Sequence, residues 1–101
     1  MNISIKLCEH IRERIIPQYV NFDKAHRIDH VEKVIEESMK LALHYEVNSA
    51  MVYTIAAYHD LGLCEGREFH HIVSGKILFA DETLWQWFTD DQMLQMKEAI
   101  E

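Results

Sequence analysis

The 101-residue chain is poor in the residues that shape turns and cross-links, with one Pro, three Gly and two Cys. So little turn material argues against a sandwich or barrel of many short strands. The cysteines, Cys8 and Cys64, are too few for a disulfide framework and have no metal-knuckle spacing. No run approaches the ~20 apolar residues of a membrane span, and the N-terminus lacks the basic-then-apolar order of a signal peptide. Cations are scarce too: 10 Lys and Arg against 17 Asp and Glu leave a net charge of −7. That field repels phosphate backbones and speaks against binding to nucleic acid polymers. The chain reads as a cytoplasmic protein with no membrane partner.

Apolar residues are 49% of the chain, enough for one core in a chain this short, and no linker divides it. Their spacing is helical almost throughout. Ile3, Leu7, Ile11 and Ile15 recur every four residues, a stripe expected to end near Ile16 because Pro17 disfavours helix in the residue before it. A connector then covers residues 18–24. A long helix is expected from about Ala25 to Tyr45, with Ile28, Val31, Ile35, Met39 and Ala42 on one face. Val34, Leu41 and Tyr45 widen its apolar arc, which marks it as central. Asn48 or Ser49 caps the next helix, continuing to about Leu61, where Gly62 supplies a left-handed stop. A fourth helix covers roughly residues 68–80. Asp81 caps a short aromatic turn with Leu84, Trp85, Trp87 and Phe88, and Thr89 with Gln92 opens a last helix through a capping box. The expected fold is a compact all-α bundle of five to six helices.

Seven His are the unusual feature. His59 lies on the apolar face of the third helix with Val52, Ile55 and Ala56, where each ring nitrogen needs a partner. A core His bonded to a backbone carbonyl meets that need; neighbouring Asp60 offers another reading. A carboxylate at a helix C-terminus opposes the helix dipole, a mismatch that a nearby cation relieves. His30 sits near the start of the long helix, on its apolar flank. Antiparallel packing of helices two and three brings it to face His59 and Asp60. Two imidazoles and a carboxylate suit a first-row transition ion better than Ca or Mg. On the fourth helix, His71 shares a line with Gly75 and Leu78 and is expected nearer the cluster than His70, which is left as a substrate contact or an exposed His. Arg67 precedes them in a loop, where a guanidinium can hold phosphate oxygens or simply be solvated. His10, His26 and His44 read as surface or capping residues. No Gly-rich phosphate loop, H-E-x-x-H or nucleophile elbow is present.

These residues resemble a known family. Asp29-His30-Val31-Glu32-Lys33-Val34 resembles the first motif of the HD-domain metal-dependent phosphohydrolases. Ala56-Ala57-Tyr58-His59-Asp60-Leu61-Gly62 resembles the doublet that names them. His71 with Gly75 and Ile77-Leu78 resembles a segment of the two-metal members. The resemblance covers about Ala25 to the C-terminus and implies an all-α fold holding one or two divalent transition ions (Mn, Fe, Co, Ni or Zn) between helices. It makes His30, His59 and Asp60 ligands, Asp60 a bridge, and His71 a ligand of the second ion. The pattern departs at Leu63, where some relatives carry a basic residue. It departs again after His71, where the family's later His and distal Asp have no counterpart. The expectation is a single HD-like domain lacking its C-terminal part; a homodimer supplying the missing ligands is an alternative.

The leading functional expectation is a metal-dependent phosphohydrolase acting on a small phosphorylated substrate such as a nucleotide. His59 and Asp60 are its catalytic residues, and Arg67 and His70 hold the phosphate. A bound ion lowers the pKa of water and polarises the phosphoryl oxygen. The short ligand count implies weak metal binding and poor turnover by this chain alone. Two rival expectations are a non-catalytic helical binding or dimerisation module of HD fold and a di-iron oxygenase.

Overall fold

The structure is a computed structural model that describes residues 3–21, 28–66 and 68–101; among them every regular element is helical. By backbone contact the chain falls into two units, Met1–Ala57 and Tyr58–Glu101.

In the first unit, Ser4 caps helix α1 (Ile5–His10) by accepting from the Leu7 amide. The helix then widens into a π-helical stretch, Ile11–Ile15, and tightens into a 3-10 stretch, Ile16–Asn21. Pro17 has no N–H to close an α-helical bond on Glu13, and the helix gives way to other registers around it. The every-fourth stripe survives these changes and runs past Ile16. Leu7, Ile11, Ile15 and Tyr19 are all buried. The Tyr19 hydroxyl donates to the Ala57 carbonyl at 2.7 Å, which satisfies a polar group that burial cuts off from water.

Helix α2 (Ile28–Ala42) packs on the 3-10 stretch and buries Val31 and Ala42. The expected wide arc does not hold: Leu41 is 61% and Tyr45 67% exposed. The helix stops at Ala42, and the line from Leu41 to Tyr45 breaks in the turn that follows. Asn48, of the two expected caps, accepts from the Met51 amide at 3.1 Å. It opens α3 (Ser49–Tyr58), three residues shorter than the spacing predicts.

Tyr53 on α3 is buried, and burial, followed by the electrostatic influence of Cys8, pushes its phenol above the ordinary value. A raised phenol pKa favours the neutral folded form, so this contribution to stability is lost as pH rises above about 10, where an unfolded tyrosine ionises. Alkaline absorbance titration of the wild type and of Tyr53→Phe checks this. The variant is expected to lose a late-ionising tyrosine; loss of one that titrates at about 10 would contradict the assignment.

In the second unit, a 3-10 turn (Leu61–Glu65) ends at Gly66, whose φ of 102° lies in the region that favours glycine. Helix α4 (His70–Ala80) packs on that turn and on α5 (Asp90–Ile100). Leu78, Leu84, Met93 and Met96 are fully buried. Asp81 accepts from the Thr83 amide at 3.1 Å and from the Tyr58 hydroxyl at 2.5 Å, anchoring the aromatic turn Glu82–Gln86. Thr89 and Gln92 form both bonds of the expected capping box, at 3.2 and 3.0 Å. Thr89→Ala is expected to cost about 1 kcal/mol, typical of a lost N-cap. Urea unfolding measures it, and an unchanged midpoint would show that the box adds nothing.

Candidate metal centre

The His-Asp doublet lies just beyond helix α3, which ends at Tyr58; His59 and Asp60 form the turn that follows. Asp60 precedes the 3-10 turn, yet its side chain does not cap it. The carboxylate is 7% exposed and lies between two imidazoles. His59 Nε2 is 3.1 Å from Oδ2 and His70 Nε2 is 3.4 Å from Oδ1. Burying a carboxylate is costly unless hydrogen bonds or opposite charge compensate it. The imidazoles answer part of that demand.

His71 stands beside His70, the two rings 3.9 Å apart between centroids. Asp60, His70 and His71 each offer one ligand atom, and these atoms lie within 4.8 Å of one another. That bound leaves room for a shared ion, whose ligands, about 2.0–2.2 Å from the centre, sit roughly 3–4 Å apart. The donor set, imidazole nitrogen with one carboxylate, fits a first-row transition ion better than Ca or Mg. Cys64 is exposed and is no part of the group.

The expected order of the two histidines is reversed: His70 contacts Asp60, and His71 is the more exposed. On the His71 line, Gly75 lacks a Cβ, and its position predicts that α4 comes close to the cluster there. Instead, a Cβ on Gly75 meets the Glu101 side chain and the Lys97 carbonyl, so that line of α4 faces α5. The close approach belongs to Gly62, where an added Cβ would lie 2.1 Å from the His70 carbonyl oxygen. Gly62 also lacks the left-handed conformation expected of it; among the described residues Gly66 alone has positive φ.

His30 occupies the first turn of α2, half-buried, in the first unit. Arg67 and His26 fall outside the described residues. His10 is half-buried in α1, and His44 is exposed after α2. A cavity of about 260 Å³, unmarked by any sequence signal, opens beside the cluster. Its walls are Glu68, Phe69, His70, His71, Ile72 and Glu101. Two histidines of the cluster therefore face a space that can admit a ligand.

No protein-family model, curated protein or solved structure matches this chain. No described helix is long and apolar enough to cross a membrane.

Proposed function

We propose that the chain is a metal-dependent phosphohydrolase of HD type, acting on a small phosphate ester such as a nucleotide. One or two divalent transition ions would be held, by Asp60 with His70 and His71 and by Asp60 with His59, with His30 as a further ligand on the sequence resemblance. The observation that carries this reading is the buried Asp60 carboxylate between two imidazoles, with a third ring in ligand range. When bound, such an ion lowers the pKa of water and polarises a phosphoryl oxygen. The residues of the chain do the rest. Asp60, shielded from solvent, supplies the negative charge that selects a cation over a second anion. His70 contacts Asp60 and lines the cavity at once, which orients the donor set toward the bound ester. His71, at the cavity wall, would complete the donor set on the side that faces the ester.

Calorimetric titration with Mn, Co, Ni and Zn, followed by a panel of phosphate esters, tests the proposal. Expected are saturable binding and turnover, both lost in His59→Ala and the first weakened in His30→Ala. A wild-type protein that binds none of these ions, or turnover that survives His59→Ala, would overturn it.

A further inference from the structure

We infer that Gly62 and Ser74 form a clasp that sets the spacing between Asp60 and His70, making both of them positioning residues. The inference rests on the reading of Asp60 and His70 as metal donors, but the contact itself can be observed without an ion. Asp60 lies in the turn after α3 and His70 opens α4, with a loop through Gly66 between them. That loop alone does not fix how far the carboxylate stands from the imidazole. The Gly62 amide donates to the Ser74 hydroxyl oxygen at 2.7 Å, and the bond is buried. Ser74 is fully buried and lies four residues after His70, on the same face of α4. One end of the bond is therefore two residues from Asp60 and the other one helical turn from His70.

The glycine tightens the same joint. A Cβ at position 62 would stand 2.1 Å from the His70 carbonyl oxygen, 2.7 Å from the Ser74 nitrogen and 2.9 Å from the His70 carbonyl carbon. All three are backbone atoms and cannot swing aside as a side chain would. Gly62 is thus flush against the backbone of the residue whose ring meets Asp60. Its conformation does not demand glycine, because its φ is not positive. Space does. Any larger residue must push the start of α4 away from the turn that carries the doublet, and His70 moves with it.

The test uses Ser74→Ala, Ser74→Cys and Gly62→Ala in the full chain, with Ile100→Val as a control for general destabilisation. In metal-free protein, nuclear Overhauser contacts between the His70 ring and residue 60 report the spacing. Calorimetry with Zn and Mn reports the affinity. Ser74→Ala is expected to weaken those contacts and lower affinity by about 10-fold or more, the range seen when partners orienting a ligand are removed. Ser74→Cys, a weaker acceptor that keeps the site filled, is expected to fall between Ser74→Ala and wild type, and it carries the test should Ser74→Ala or Gly62→Ala fail to fold. Ile100→Val should lower the unfolding midpoint while leaving the contacts and affinity as they are. Wild-type contacts in the folded Ser74 variants, or equal loss in the control, would overturn the clasp. If wild-type protein binds no ion, the metal reading fails, while the metal-free contacts still decide whether the clasp sets the spacing.

Discussion

Asp60→Asn is expected to lose divalent-metal binding while keeping the metal-free fold. Asn has the size and one carbonyl oxygen of Asp, so the turn and its contacts with His59 and His70 can persist in altered hydrogen-bond polarity. What disappears is the one negative charge in the donor group Asp60, His70 and His71. Loss of an outer partner of a metal ligand costs about 10–100-fold in affinity, and removal of the charged ligand itself should cost more. The consequence for stability is specific. Wild-type protein in metal at 100 times its dissociation constant gains about 2.7 kcal/mol, and Asp60→Asn gains almost nothing. Thermal unfolding with and without Zn or Mn measures both quantities. Equal metal-induced stabilisation of the two proteins would show that Asp60 is not a ligand.

Leu78→Ala should produce the largest loss of stability of any substitution considered. Leu78 is fully buried on α4, the helix that packs on both α5 and the turn after the doublet. Deleting one methine and two methyl carbons there removes transfer energy and leaves a cavity, together about 2–5 kcal/mol. In a chain of this size that is a large part of a typical stability of about 5–15 kcal/mol. The midpoint of thermal unfolding should fall by on the order of 10 °C or more. Leu41→Ala provides the contrast, since that leucine is 61% exposed. It should change stability by less than about 0.5 kcal/mol. Comparable losses for the two would mean that Leu41 belongs to a core after all.

The difference between those two leucines shows what can be learned from the sequence. Signals that act within one helix turn were legible: the Thr89-Gln92 capping box, the Asp81 cap and the Leu7-Ile11-Ile15 stripe all stand as expected. Their physics is local, a side chain reaching a nearby amide or a row of residues meeting one surface. The π-helical stretch Ile11–Ile15 was not legible, because the apolar spacing that marks the stripe does not tell an α-helical from a π-helical register. Nor was the exposure of Leu41, which depends on where the helix stops. Gly62 and Gly75 were the sharper misreadings. Sequence suggested a conformational role for Gly62 and close approach to the cluster for Gly75, while packing gives close approach to Gly62 and turns Gly75 toward α5. A glycine's missing Cβ has meaning only against the atoms it would meet. The same limit reversed His70 and His71. Helical spacing says that adjacent residues point about 100° apart, but not which direction faces Asp60.

Anomalous diffraction from a crystal grown with Zn or Mn tests the central claim most directly. The proposed function requires one strong anomalous peak with an Asp60 oxygen and the His70 ring nitrogen both about 2.0–2.2 Å away. A peak held elsewhere on the chain, or a well-ordered Asp60–His70 pair with no ion beside it at saturating metal, would contradict the account.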